Sequence, residues 1–401
     1  MSSAFNKRLK ILYATCHNPF GPDYGARLRS YHIAKILQKI HDISLVLMLS
    51  EPEDEKWLNQ ARKEFDLKAT IPIMQVPRTI SSWIRKEFDP RYCGIREQAV
   101  GSKGKELFWK LKKDHDLIWF HTVRIPDAFG IFEWKKTILD VDDMQSQLYS
   151  TQGLKEIAIL RRALDFRMRC LWRRREKLYL KRFDVLCVCS QKDKENFYNS
   201  ERVYVVRNGF EQKSSKPLTK QNTDSPVLGF IGSLDYRPNF NGVYWFIKKV
   251  WPIIKKAIPN VKLRLVGKET DGGISDYGLD IDGLGYVQDA DSEIKKWSGM
   301  IVPIKQGGGT RIKIAEGFAR RRPVIATKLG AYGYEIENGR EAVIADEPET
   351  FAKGCIRVIL DHEFGKTIAE NAFKKYVKYY TWDAQKENIL KSVEHCLTGI
   401  K

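Results

Sequence analysis

Short apolar runs alternate along this chain with stretches of helical period, and the alternation repeats in two series. In the first, Leu9–Thr15 reads as a strand, Arg29–Gln38 as a helix, Ile43–Leu49 as a strand and Glu53–Phe65 as a helix. Further strands are predicted at Leu117–Phe120, Thr137–Val141, Val185–Ser190 and Val203–Val206. The second series restarts at Val227–Gly232, with a helix over Val243–Ile258 and a strand at Lys262–Val266. Short strands follow near Leu284–Val287, Gly299–Val302 and Val324–Thr327, and a helix over Ala384–Leu397 closes the chain. Strands separated by helix-length segments imply parallel sheets in doubly wound α/β domains. In such domains ligands gather outside the carboxyl ends of the strands, so two of them facing each other predict a site in the cleft between.

A chain of 401 residues is too long for one ordinary core. The stretch 212–226 is rich in Lys, Ser, Thr, Asn and Pro without apolar periodicity, and reads as the linker. The expected domains are therefore 1–211 and 227–383, with 384–401 packing back on the first. No apolar run reaches the roughly 18–20 residues needed to cross a bilayer, and the N-terminal run is too short for a signal-peptide core. The seven cysteines show no Cys-x-x-Cys pair and no zinc spacing, which fits reduced thiols in the cytosol. Cys187 and Cys189 alternate within a strand and read as core.

The densest chemistry lies in Gln306-Gly-Gly-Gly-Thr-Arg-Ile-Lys-Ile-Ala-Glu316. Consecutive glycines let a backbone approach a ligand closely, and the helix start behind them directs N–H groups and a positive dipole end outward. That suits a diphosphate. Arg311 and Lys313 would add charge-assisted contacts, and Glu316 would accept hydrogen bonds from ribose hydroxyls. A glycine turn before an ordinary amphipathic helix explains the same residues, and the pattern alone does not separate the two readings.

The other strand ends carry less. The loop Asn18-Pro-Phe-Gly-Pro-Asp-Tyr-Gly25 is no dinucleotide fingerprint, so no nicotinamide or flavin is indicated, although Gly25 before a helix gives a phosphate or sugar close access. His121 follows a strand, where it would face the cleft. Asp140, Asp142 and Asp143 end another strand, and acceptor hydroxyls, a helix cap or a metal would each suit them, with capping the first choice for Asp143. The net charge of +19 calls for an anionic partner. Much of it lies in 161–182, where ten basic residues face only Asp165 and Glu176, with apolar residues interleaved. A solvated helix face and binding to an anionic membrane surface are the two readings of that region; no nucleic acid is expected, because no reader module accompanies the charge.

The segments Phe230-Ile-Gly232-Ser-Leu-Asp-Tyr-Arg-Pro-Asn239, Leu265-Val-Gly267, Gly285-Tyr-Val287 and the glycine-rich motif occur in this order. Together they resemble the donor-binding half of a group 1, family 4-like glycosyltransferase of the GT-B fold: two Rossmann-like domains facing a cleft. Cys189-Ser190 and Val206-Arg-Asn208-Gly209 match the acceptor half more loosely. The resemblance implies a retaining enzyme that moves a sugar from a nucleotide diphosphate donor to a glycan or lipid-linked acceptor in surface polysaccharide or glycolipid assembly. It implies no cofactor and no metal requirement, and a place in the cytoplasm or peripherally on the cytoplasmic membrane face. It assigns the ribose to Glu316, a contact with the transferred sugar to His121, and a place near the donor phosphates to Gly25.

Two departures stand out. The first acid of the family's Glu-x7-Glu would fall at Gly308, so backbone groups of Gly308, Gly309 and Thr310 are the expected substitutes. The family's Arg and Lys after the first strand of the donor half are replaced by Ser233 and Asn239. Arg311 and Lys313 are the replacement candidates for the diphosphate, Arg237 a lesser one, and Asp142 a candidate on the acceptor side. Two rivals share the fold: a nucleotide-sugar 2-epimerase with internal acids as proton shuttles, and a non-catalytic protein holding polyanionic glycans. Trp382 reads as core.

Overall fold

The computed structural model describes residues 8–20, 25–149, 159–211, 225–272, 278 and 280–399, with Arg161 described in its backbone alone. The expected linker 212–226 lies almost wholly outside these residues, as do positions 21–24 of the loop before Gly25. The chain divides into two compact units. One comprises Met1–Gln147, Phe166–Asn208 and Gln385–Lys401; the other Leu148–Asp165 and Gly209–Ala384.

The first unit is built on β1 (Lys10–Thr15), β2 (Asp42–Leu49), β3 (Asp66–Gln75), β4 (Gln98–Val100), β5 (Leu117–His121), β6 (Thr137–Val141), β7 (Val185–Val188) and β8 (Val203–Val205). Their order in the sheet is β4-β3-β2-β1-β5-β6-β7-β8. All neighbours are parallel except β3 and β4. The central strands are buried on both faces, which explains why they read as unbroken apolar runs. In β3, by contrast, exposed and covered residues alternate and Lys68 and Pro72 interrupt it, so apolar pattern did not reveal it. The last helix belongs to this unit from Gln385 onward: Gln385 Oε1 accepts from Arg207 N (2.8 Å) and Asn388 Nδ2 donates to Val205 O (2.9 Å).

The second unit carries β9 (Val227–Ile231), β10 (Lys262–Val266), β11 (Ile281–Gly283), β12 (Gly299–Val302), β13 (Val324–Ala326) and β14 (Val343–Ile344). The order is β11-β10-β9-β12-β13-β14, parallel throughout. Two expectations need correction. The strand predicted at Leu284–Val287 is instead β11, because Gly285 turns the chain at φ 63° and its carbonyl goes to Gly267 N (2.8 Å). The helix predicted to begin at Val243 begins at Arg237 and runs to Ala257 through one wider turn at Phe246–Val250. Its start is set by Pro238, whose missing N–H is harmless in a first turn. Gly229 shows how tightly this core is filled: a Cβ there would lie 2.0 Å from the Trp297 indole. Trp382 is buried as expected and packs against Gly209.

The region 161–182 is helical but broken, into Ile159–Glu176 and Tyr179–Arg182. Its cations do not share one face. Arg175 and Arg182 are buried; Arg182 pairs with buried Asp127 at 2.6 Å, and Arg175 donates to Leu171 O and Lys86 O. Part of the basic charge is therefore internal architecture, and a fully solvated face is excluded for it. Cys187 and Cys189 are buried, as expected.

Candidate functional site

In each sheet the chain connections diverge at one pair of neighbouring strands, β1 and β5 in the first unit, β9 and β12 in the second. At such a pair the loops beyond the carboxyl ends part and leave a crevice. Gly25 and His121 lie at the first of these places and Ser233 and the Gln306–Glu316 element at the second, whereas Asp140, Asp142 and Asp143 lie one strand further on, at the end of β6.

In the second unit, β12 runs into Gln306–Arg311 and then the helix Ile312–Ala319. Gly307 and Gly309 have φ of 93° and 77°, a backbone that side-chain-bearing residues seldom adopt, so the loop needs glycine there. Gly308 and Gly309 are buried and Thr310 half-buried. Arg311 donates to Gly308 O and, at 3.3 Å, to Gln306 O, while its own carbonyl accepts from Tyr334 Oη (3.0 Å). Its guanidinium is thus turned back onto the loop. It holds the loop's shape, where sequence had suggested a side chain reaching for a ligand.

Lys313, in the first turn of the helix, points to the end of β9. Its Nζ donates to Asn239 Oδ1 (2.8 Å) and lies 4.1 Å from the centroid of Phe230. Asn239 Nδ2 in turn donates to Ser233 O (2.7 Å), so Ser233, Asn239 and Lys313 form one chain of contacts. Gly232, at φ 146°, lets Lys313 and Asn239 pack against the backbone: a Cβ there would lie 2.9 Å from both the ammonium nitrogen and Asn239 Nδ2. Burial, then the nearby Arg311, push the Lys313 ammonium down to about 7 against the pull of Glu316. A dianion bound beside an amine poised this close to neutral pH would favour its charged form. Glu316, on the same helix, is pushed up by burial, opposed by Arg320 and Lys313. Arg320 binds its Oε1 at 2.8 Å and reaches Asp291 at 2.7 Å. Arg320 was missed in the sequence, although its i,i+4 spacing from Glu316 was the available signal. Arg237 starts its helix as an exposed residue.

In the first unit, Gly25 opens the helix Gly25–Gln38, which carries Arg29 and Ser30 inward. Arg29 is fully buried and grips Asp140 through Nε (3.1 and 3.0 Å) and one terminal nitrogen (2.5 Å). It also donates to Val206 O (2.8 Å) and Asn208 Oδ1 (3.0 Å), tying together the ends of β6 and β8. Burial pushes Asp140 up to about 6 against Arg29, so the pair is ionised at neutral pH. Asp142 lies 3.7 Å from Arg29 Nε, and its carbonyl accepts from the Cys189 thiol at 2.8 Å. Asp143 precedes the short helix Gln145–Leu148. Among the described residues no group of three or more His, Cys, Asp or Glu is arranged to hold a metal ion.

His121 corrects an expectation. It was to face a cleft at the end of β5, but its side chain is 0% exposed. Nδ1 lies 3.2 Å from Thr15 Oγ1 and Nε2 3.9 Å from Asp140 Oδ2. Burial, with His17 and Arg29 nearby, keeps the ring well below the usual histidine range and hence neutral. The half-buried neighbour is His17, whose ring meets His121 edge-on at 5.7 Å. Sequence spacing placed the histidine at the strand end; it was blind to the residue that covers it.

Residues 225–361 match the family model described as glycosyl transferases group 1. A 44.6 kDa uncharacterized protein in the cps region of Klebsiella pneumoniae is 22% identical over 382 residues, 91% of this chain and 94% of the relative. Among solved structures, HepE of Anabaena, in complex with UDP and glucose, superposes with a TM-score of 0.60 at 15% identity. That match covers 96% of this chain and 100% of HepE. WaaG, a glycosyltransferase involved in lipopolysaccharide biosynthesis, superposes with a TM-score of 0.61 at 13% identity, over 94% of this chain and 98% of WaaG. The fold is that of the GT-B glycosyltransferases, and the match to the group 1 glycosyltransferase model lies within the second unit.

Proposed function

We propose that this chain is a group 1 glycosyltransferase that moves a sugar with retention from a nucleotide diphosphate donor to a growing surface polysaccharide or a lipid-linked glycan. The observation that carries the reading is Lys313, a buried amine whose pKa is brought down to about 7, packed against the backbone of Gly232 at the end of β9 and beside the Gly307–Gly309 loop. When the sugar–phosphate bond breaks, negative charge grows on the β-phosphate. Lys313 and the N–H groups at the start of the helix Ile312–Ala319 are pre-positioned to stabilise it. Arg311 contributes by fixing the loop and adding positive potential. Glu316 binds the ribose hydroxyls through Oε2, while Arg320 keeps Oε1 and holds the carboxylate in place. UDP and glucose bound to HepE, and the lipopolysaccharide role of WaaG, support a sugar nucleotide as donor and a cell-surface glycan as product.

On the acceptor side, the Arg29–Asp140–His121 cluster positions the strand ends, with Asp142 the acid beside it. His121 acts by fixing Thr15 and the ends of β1 and β5, and His17 is the nearer candidate for contact with sugar.

Calorimetry with UDP tests the donor site. Glu316→Ala, which removes hydrogen bonds to a charged acceptor, should weaken binding by roughly tenfold to a hundredfold. Undiminished affinity in Glu316→Ala and in Lys313→Met would refute the assignment. Retention is tested by proton NMR of the first-formed product: an inverted anomeric centre sinks it.

A further inference from the structure

The helix Ile80–Phe88 in the first unit is amphipathic in the wrong sense for a folded protein. A surface helix ordinarily turns its apolar stripe to the core and its polar residues to water. Here no residue of the helix is buried. Ile80, Trp83, Ile84 and Phe88, spaced three and four apart on one face, are exposed at 81%, 56%, 46% and 72%. Ser82, Lys86 and Glu87 are the ones partly covered. Single exposed apolar residues are ordinary; a continuous stripe of four on one helix is not.

What holds the helix down is polar. Thr79 and Ser82 form a reciprocal capping box (2.9 and 3.0 Å). At its other end Arg167 Nε pairs with Glu87 (3.0 Å), and Arg175 donates to Lys86 O (2.7 Å) and Asp89 O (3.2 Å). The arginine-rich helix thus clamps the inner, polar side of the short helix and leaves its apolar side outward. Charge is sorted in the same way. Arg78, Arg85, Arg91, Arg173 and Arg174 are exposed, whereas the acids beside them, Glu87 and Glu97, are largely covered and paired.

We infer that this face is a docking surface for an anionic lipid bilayer, with Ile80, Trp83, Ile84 and Phe88 entering the boundary between headgroups and acyl chains and the exposed arginines resting on the headgroups. An apolar stripe rimmed by cations, able to bury Trp at the interface, is the pattern of a helix lying in a membrane surface. A second copy of this chain fits worse, because a two-fold contact would set the same arginines against each other. The inference does not depend on transfer activity; it gives a lipid-linked acceptor a surface on which to meet the enzyme.

The test uses the full chain, sedimented with vesicles of phosphatidylcholine alone or mixed with phosphatidylglycerol. The protein should bind the mixed vesicles at low salt and lose them at high salt. Trp83→Ser/Phe88→Ser should weaken binding by about tenfold per side chain. Arg173→Gln/Arg174→Gln should weaken it by about fivefold per charge. Trp83→Phe should still bind but lose the fluorescence quenching that brominated lipids impose on the wild type. All these positions are exposed, so melting temperature and UDP affinity should stay at wild-type values. Failure to bind anionic vesicles, equal binding to neutral ones, or equal binding by the double serine variant would overturn the inference. So would a dimer in sedimentation velocity that the same serines dissolve. Loss of UDP binding with vesicle binding intact would count against the proposed donor site alone.

Discussion

If Lys313 receives the donor diphosphate, UDP binding must take up a proton, and the amount follows from the depressed ammonium. The free site has Lys313 at about 7. A bound diphosphate beside Nζ should return it towards the ordinary lysine value of about 10.4. At pH 8 the free amine is about 90% neutral, so binding should draw in about 0.9 proton, falling to about half a proton at pH 7. The sign follows: the complex binds more protons than the free protein, so affinity falls as pH rises. Between pH 7 and 9 the loss should be about fiftyfold. The terminal phosphate of UDP titrates near pH 6, so measurements above pH 7 isolate the lysine. Calorimetry in two buffers of different ionisation enthalpy reads the proton count directly. Lys313→Arg should bind with a nearly flat profile, since a guanidinium stays charged throughout. A flat wild-type profile over this range, or an equal slope in Lys313→Met, refutes the placement of Lys313 at the diphosphate.

Two further predictions concern stability. Arg29→Met leaves buried Asp140 without its partner and should destabilise the first unit by about 3–5 kcal/mol, whereas Arg29→Met/Asp140→Leu should recover most of that in a thermal melt; a double variant no better than the single would show that the charge pair is not the cause. Gly229→Ala forces a methyl against Trp297, 2.0 Å away, and should cost about 1–3 kcal/mol, read as an earlier melting transition of the second unit; a wild-type melt would mean that Trp297 moves freely.

Much of the second unit was legible because its central strands are largely buried and the glycines of its glycine-rich loop are obligatory. Val227–Ile231 and Gly299–Val302 announce themselves as apolar runs and Lys262–Val266 by its alternation, and the glycine loop follows the strand Gly299–Val302. What lay beyond reach were edges and partners. Strand β3 and the helix Ile80–Phe88 obey no inward apolar period, since one is half-exposed and the other faces out. The ten cations of 161–182 read as one charged region, yet Arg175 and Arg182 spend their charge on buried partners far away in sequence.

By itself, then, the sequence determined the two α/β series, the glycine-loop element with Lys313 and Glu316 on one helix, and the histidine and acids at strand ends. These depend on local period and spacing, which neighbouring residues decide among themselves. Only the tertiary structure decided where those side chains point. Arg311 folds back on its own loop and His121 disappears beneath its neighbours, while Lys313 meets Asn239 across 74 positions of chain. Burial and distant partners set those directions and charges, because the energy of a buried ion depends on what surrounds it in space, and spacing along the chain carries no record of that.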